Sequence, residues 1–231
     1  MKKLVIYLTF LYPNEEEFLK TLRVLEEEKV DIVELGIPVK DPFMDGGVIK
    51  DTHLEVLKTS PDVHKLVSIL EYIKKNFSFK VVLMTYYEGV KAFNLLDSAR
   101  GLCHGLLCVD KLITKKDFPS PIQLYSEGMT EEEMKSLAKE NELFSYVMSG
   151  VGKTGSFKGV PTGYIETIKT LKSFSDLPAY VGFGIKTPQD AIEVCSNGAE
   201  GIIIGSHFIK ILQEKGLEGC RNYVKELKEV L

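Results

Sequence analysis

Residues 31–49, DIVELGIPVKDPFMDGGVI, are the stretch of sequence that decides the predicted fold. Ile32, Val33 and Leu35 are β-branched or apolar around the carboxylate of Glu34, which predicts a buried strand, and a glycine and a proline then end it. Glu34 lies near the carboxyl end of that strand, and Asp45 follows eleven positions later on a loop. Two carboxylates in different environments, one on a rigid strand and one on a mobile loop, suit acid–base chemistry on a small molecule.

The composition limits the class of protein. The chain has 231 residues, 44% of them hydrophobic and 27% charged, which is typical of a globular protein with a large core. Its net charge of −4 argues against binding to nucleic acid. The apolar runs are as short as strands, and an acidic run follows the first of them, so neither a membrane span nor a signal peptide is predicted. Four cysteines without a Cys-x-x-Cys pair predict reduced thiols and a cytoplasmic location.

Strand-like and helix-like stretches alternate from end to end. The predicted strands are 4–9, 32–35, 80–85, 105–109, 121–125, 145–148, 179–182 and 201–204. The predicted helices are 15–28, 51–57, 63–75, 90–99, a weak one at 115–117, 130–141, 162–174, 188–197 and one from 207 onward. Continuously apolar strands are typical of parallel sheets buried on both faces. Eight β/α units predict a single-domain (β/α)8 barrel over residues 1–231, and an open sheet is the alternative.

Polar and glycine residues collect at or just after the carboxyl ends of the predicted strands. In a barrel these ends form one mouth, where active sites lie. The residues concerned are Glu34, Asp45, Tyr86, Asp110, Tyr146, Gly184 and Ser206. Four of them have a structural alternative: an ion pair with a barrel lysine for Glu34, an Asp-Gly turn for Asp45, and core packing for Tyr86 and Tyr146. The four histidines share no metal-ligand spacing, and no role is predicted for them.

Glycines cluster after the last three predicted strands, in segments 149–155, 182–185 and 205–206. Glycines let backbone N–H groups approach a phosphate closely, and a helix N-terminus adds a favourable dipole. A tight turn explains any one of these segments, but three converging turns predict a phosphate site. Segment 150–155 lacks the glycine spacing of a P-loop, and we interpret it as a flexible lid with hydroxyl and amide donors.

These same segments resemble a known family, the α subunit of tryptophan synthase. The carrying match is residues 34–38, 41–42 and 45–46, which have the spacing of the family's Glu-Leu-Gly-x-Pro-Phe-Ser-Asp-Pro-x-Ala-Asp-Gly. Further matches run in family order over nearly the whole chain, at 7–9, 83–87, 146, 149, 152–155, 182–185 and 205–206. The resemblance implies a (β/α)8 barrel that cleaves indole-3-glycerol phosphate to indole and glyceraldehyde 3-phosphate in tryptophan biosynthesis.

The resemblance also implies roles for individual residues. Glu34 is expected to be the main acid–base group, and Asp45 to bind the indole N–H and stabilise the charged ring. Thr154 in the lid is expected to orient Asp45. The phosphate is expected to be held by Gly155, Gly184, Gly205 and Ser206. The indole and glycerol are expected to contact Tyr86 and Tyr146. No metal or organic cofactor is implied on this chain, because pyridoxal phosphate belongs to the β subunit, which receives the indole in an α2β2 tetramer.

The chain departs from the family pattern at several points. It begins directly on the first predicted strand, without the usual N-terminal helix that covers the barrel bottom. Other departures are Val39, Lys40, Gly47, Glu88, Lys111-Leu112 and Ser126-Glu127-Gly128, and most of them lie on mouth-side loops that contact the β subunit in the family. Three alternatives follow: a stand-alone lyase that releases indole, a catalytically weak barrel that activates a β subunit allosterically, and a general phosphosugar isomerase.

Overall fold

The computed structural model of the protein describes residues 1–150 and 160–231, in which strands alternate with helices. The strands are β1 (Lys3–Thr9), β2 (Ile32–Gly36), β3 (Lys80–Thr85), β4 (Gly105–Cys108), β5 (Pro121–Ile122), β6 (Leu124–Tyr125), β7 (Ser145–Met148), β8 (Ala179–Gly182) and β9 (Gly201–Ile204). The helices are α1 (Glu15–Glu27), α2 (Gly47–Leu57), α3 (Val63–Asn76), α4 (Tyr87–Ala92), α5 (Leu95–Ser98), α6 (Glu131–Lys139), α7 (Tyr164–Lys172), α8 (Pro188–Ser196) and α9 (Ser206–Val230).

The described strands form one sheet in the order β5-β4-β3-β2-β1-β9-β8-β7-β6, and all their pairings are parallel. The two end strands, β5 and β6, are the halves of the single strand predicted at 121–125. One half pairs with β4 and the other with β7. The segment therefore brings the two ends of the sheet together, and the predicted (β/α)8 barrel is confirmed.

The break inside the closing strand is at Gln123, whose donor groups bond outside the sheet. Its backbone N–H donates to the side-chain oxygen of Asn141 at 2.9 Å. Its side-chain amide donates to the carbonyl groups of Ile113 and Glu140. Because these bonds satisfy a buried residue at the seam, the strand changes its neighbour there without leaving a donor unpaired.

Local signals fix several helix starts. The Asn14 side chain accepts from the backbone N–H of Glu17, and Asp62 caps α3 in the same way, as the sequence predicts. Thr130 and Glu133 form the predicted capping box at the start of α6.

Three predicted helices differ from the structure. The helix expected at 90–99 is two short ones, because Asn94 adopts a left-handed conformation with φ of 47° between them. Residues 115–117 form a turn, in which the carboxylate of Asp117 accepts from both the N–H and the hydroxyl of Thr114. The last helix is interrupted at Gly216, whose φ of 61° is not helical.

The strands carry the core and orient the mouth. All residues of β2, β4, β7, β8 and β9 are buried, as expected for parallel strands covered on both faces. The register places Glu34 of β2 between Tyr7 of β1 and Val82 of β3. No helix among the described residues is long and apolar enough to cross a membrane.

Candidate active site

One cavity near the carboxyl ends of the strands contains both predicted carboxylates. Its empty space, including the part open to solvent, is about 430 Å³. Its lining residues are Tyr7, Glu34, Asp45, Ile49, Met84, Tyr146, Phe183, Gly184, Ile185, Ile203, Gly205 and Ser206. The structure therefore brings together residues from β1, β2, β3, β7 and β9 and from the turns that follow β2, β8 and β9.

Glu34 is an acid buried in an apolar strand. Its side chain is 1% exposed, and within the described residues its Oε1 atom has no hydrogen-bond partner. Burial, and to a smaller extent the nearby negative charge of Asp45, raises the pKa of Glu34 to about 8. Among the described residues, no ion pair joins Glu34 to a lysine. Because its pKa is about 8, the carboxyl group is mostly protonated near neutral pH, and it lines the cavity.

Asp45 occupies the second acidic position, on the loop between β2 and α2. The Tyr86 hydroxyl donates to Asp45 Oδ2 at 2.8 Å, and the same hydroxyl oxygen accepts from the backbone N–H of Met44 at 3.1 Å. Phe43 packs on the Tyr86 ring, with 5.1 Å between ring centroids. Tyr86 thus fixes the end of the loop from outside the cavity, and Asp45, 5% exposed, presents its carboxylate to the cavity.

The far end of the cavity is built from two strand-to-helix turns. Phe183 and Gly184 both have positive φ, 77° and 79°, and the Ser149 hydroxyl donates to the carbonyl oxygen of Phe183 at 2.8 Å. A left-handed conformation is costly for a residue with a side chain, so the contact with Ser149 stabilises a strained turn. Gly205 and Ser206 border the same space at the start of α9. A helix start with exposed N–H groups is suited to an anion.

Apolar and aromatic side chains form the middle of the cavity, between the acids and these turns. Tyr146 lies edge-on to Phe183, and a Cβ atom at Gly182 would come within 2.6 Å of the Tyr146 hydroxyl. Tyr146 thus packs over a bare glycine of the next strand. The described residues that line the cavity include no lysine or arginine. The lining thus offers apolar and aromatic surface beside the acids, and backbone amides are the groups offered to an anion.

Several residues of the site were not predicted from the sequence. The cavity is also lined by Tyr7, Ile49, Met84, Phe183, Ile185 and Ile203, none of which is among the predicted site residues. For Tyr7, Met84 and Ile203, alternation along the strands is the signal for facing the barrel interior, but it does not separate the layer of packing from the layer of the site.

Other predicted residues lie elsewhere. Asp110 accepts from the backbone N–H of Tyr87 at the start of α4, outside the cavity. Thr154 and Gly155 lie outside the described residues, as does most of the predicted lid. Among the residues that the structure describes, no group of three His, Cys, Asp or Glu side chains could hold a metal ion.

Comparison with known proteins identifies the family. The family model described as "Tryptophan synthase alpha chain" matches residues 1–231. The chain belongs to the tryptophan synthase alpha chain family. A tryptophan synthase alpha chain of Methanococcus voltae is 33% identical, with 98% of this chain and 84% of that relative covered.

Solved structures agree with this assignment. Tryptophan synthase of Mycobacterium tuberculosis superposes with a TM-score of 0.88 at 25% identity, covering 99% of this chain and 92% of that one. A chain of the tryptophan synthase complex of Pyrococcus furiosus gives 0.85 at 27% identity, covering 99% and 100%. The predicted family, its lyase class and its place in tryptophan biosynthesis are therefore confirmed.

Proposed function

We propose that this chain cleaves indole-3-glycerol phosphate at the cavity described above, with Glu34 as the acid–base group. The observation that carries the proposal is a buried carboxyl group whose Oε1 atom has no hydrogen-bond partner among the described residues, in the same cavity as a second carboxylate. The cavity has an apolar middle for an indole ring and a turn-rich end for a phosphate. The proposed roles of the individual residues follow from this arrangement.

The first step is protonation of the indole ring. Glu34 gives its proton to the ring carbon that bears the glycerol chain, and the ring becomes a cationic indolenine while Glu34 becomes a carboxylate. A pKa of about 8 makes the acid form abundant at neutral pH. Asp45 accepts a hydrogen bond from the ring N–H and stabilises the positive charge as it develops.

The second step breaks the carbon–carbon bond. The Glu34 carboxylate takes the proton of the hydroxyl group on the first glycerol carbon, whose oxygen then forms the aldehyde. The electron pair of the broken bond returns to the ring, which leaves as neutral indole, and the three-carbon fragment leaves as glyceraldehyde 3-phosphate. Glu34 ends protonated, as it began, so the cycle needs no other proton carrier.

Substrate positioning is assigned to the remaining residues. We propose that Gly184, Gly205 and Ser206 hold the phosphate through backbone amides and the α9 start. Tyr146 borders the indole and glycerol, whereas Tyr86 acts on Asp45 through its hydroxyl. Thr154 and Gly155 keep their proposed roles, the orientation of Asp45 and the binding of phosphate.

A partner is part of the proposal. Phe43 and Leu112, on loops that follow β2 and β4, are 50% and 48% exposed, which is high for large apolar side chains at a barrel mouth. We propose that a tryptophan synthase β subunit, which carries pyridoxal phosphate, covers this face in an α2β2 tetramer and receives the indole. The chain itself is proposed to form one barrel domain that needs no cofactor and works in the cytoplasm.

The test is release of indole from indole-3-glycerol phosphate, measured with and without a β subunit. Replacing Glu34 by Gln is expected to reduce turnover at least about a thousandfold, because the proton donor and acceptor are both lost. Asp41→Asn is the matched control, because Asp41 lies on the same loop but its side chain is 70% exposed. Wild-type turnover by the Glu34→Gln variant would refute the assignment.

The same assay separates the alternatives. Strong turnover by the isolated chain favours a stand-alone lyase, and a β subunit that is activated equally by wild type and Glu34→Gln favours an allosteric role. Turnover of ribulose phosphates but not of the indole ester would select a phosphosugar isomerase.

A further inference from the structure

A chain of buried hydrogen bonds runs from the floor of the cavity to the loop that carries Asp45. The Tyr7 hydroxyl is 2.9 Å from Nε2 of His53 and 3.3 Å from Oγ1 of Thr9. Thr9 in turn lies 2.6 Å from Oγ1 of Thr52 on α2. At the other end, the backbone N–H of Val39 donates to Nδ1 of His53 at 3.2 Å. All five side chains are at most 3% exposed.

The two ends of this series of hydrogen bonds fix the direction of every bond in it. The Thr52 hydroxyl donates its proton to the carbonyl oxygen of Ile49 at 2.7 Å, so it must accept from Thr9. Thr9 then has no proton left for the Tyr7 hydroxyl, which must donate to Thr9 and accept from His53. His53 therefore carries its proton on Nε2, and Nδ1 is free to accept.

The hydrogen bond from Val39, at the other end of the series, independently requires the same tautomer of His53. An N–H group of the backbone can only donate, so Nδ1 of His53 must be unprotonated. Burial lowers the pKa of His53 to about 4, which keeps the ring neutral at physiological pH. Two independent constraints thus agree on one neutral form of a buried histidine to which the sequence assigns no role.

Val39 lies in the middle of the segment that links Glu34 to Asp45. Before it, Ile37 is held to β3 through a bond from its N–H to the Met84 carbonyl and a bond from the Thr85 hydroxyl. At the far end, Tyr86 holds Met44 and Asp45. Between these two points His53 anchors Val39, next to a longer bond of 3.4 Å from the Lys40 N–H to Oε1 of Glu88. Tyr7 connects the His53 anchor to the strand position opposite Glu34.

We propose that His53 is a positioning residue, which holds the loop of Asp45 in its catalytic place by accepting the Val39 N–H at Nδ1, with Tyr7 securing the required tautomer. The inference rests on the proposed function of Asp45. It assigns His53 no contact with substrate. It predicts that the loss of the Nδ1 acceptor lowers the rate of the bond-breaking steps by displacing Asp45, since an error of about 1 Å in position can cost up to about a hundredfold in rate.

Two amide substitutions separate the two ring nitrogens. In His53→Asn, the side-chain oxygen reaches the position of Nδ1 and can accept from Val39, but the contact with Tyr7 is lost. In His53→Gln, the amide nitrogen reaches the position of Nε2 and can donate to Tyr7, but no acceptor faces Val39. His64→Gln is the matched control, because His64 lies exposed on α3.

The expected results are asymmetric. His53→Gln is expected to lower kcat for indole release about tenfold or more with KM changed less than about threefold, whereas His53→Asn loses less than about threefold in kcat. Hydrogen exchange of the Val39 amide, followed by NMR, should be fast in His53→Gln and protected in His53→Asn. A purely structural role would lower the melting temperature in both variants without this split in kcat.

Other outcomes overturn the inference. Equal losses in the two variants, full activity in both, or a greater loss in His53→Asn would show that acceptance at Nδ1 does not position the loop. If His53→Gln does not fold, ¹⁵N NMR of the wild-type ring decides, because a proton on Nδ1 would refute the proposal. Loss of cleavage in Glu34→Gln combined with full activity in His53→Gln would reject this inference and leave the proposed function standing.

Discussion

The buried acid should make the protein less stable as the pH rises, and Glu34→Gln should remove that effect. In the folded chain the pKa of Glu34 is raised to about 8, whereas the pKa of a glutamate in an unfolded chain is about 4.3. A raised pKa in the folded state favours the protonated form. Its stabilising effect is complete below the unfolded pKa and is lost as the pH rises through the folded pKa.

The size of the effect follows from the displaced pKa. Each pKa unit corresponds to about 1.4 kcal/mol of stability. The free energy of unfolding of the wild type is therefore expected to fall by up to about 5 kcal/mol relative to that of the variant between about pH 4 and pH 8.5. Glutamine has nearly the shape of protonated glutamate and cannot ionise. The two proteins should therefore be similar at pH 5 and diverge above it, with the variant melting about 10 °C higher at pH 8.5.

The assay is thermal unfolding followed by circular dichroism, at half-unit intervals from pH 5 to pH 8.5. Asp41→Asn serves as control, because it removes a carboxylate from the same loop whose side chain is 70% exposed. A constant difference between wild type and Glu34→Gln at every pH would refute the reasoning, because it would show that the group does not titrate within the range. Loss of indole release by the more stable variant would show that the site is kept at a cost in stability.

Three further predictions concern neighbours of the acid. In Asp45→Asn, the pKa of Glu34 is expected to fall, because a negative charge that raises it is removed; ¹³C NMR of the carboxyl group would measure this, and an unchanged pKa would contradict it. Tyr86→Phe should lower kcat about tenfold, since Asp45 loses a donor and the Met44 N–H loses its acceptor; an unchanged kcat would exclude that role. Gly182→Ala should lower the melting temperature through its clash with the Tyr146 hydroxyl, and adding Tyr146→Phe should recover part of the loss; simple additivity would argue against the clash.

The order of elements was predictable because it depends on local patterns. Apolar strands of parallel type and capped helices are written in short stretches, and the predicted caps at Asn14, Asp62 and Thr130 are present. The failures were also local in origin. A left-handed Asn94 and a non-helical Gly216 break helices whose periodicity continues past them, because backbone conformation at one residue does not alter the apolar pattern.

By itself, the sequence determined the class of fold, the family and the two acids, since strand-end position and spacing are properties of the chain. Tertiary structure alone decided that Tyr7 borders the cavity, that the Tyr86 hydroxyl bonds to Asp45, and that His53 joins α2 to the loop near Val39. The physical reason is that hydrogen bonds and pKa values depend on neighbours far apart in the chain. A histidine paired across 46 positions with a tyrosine leaves no trace in the local pattern of either segment.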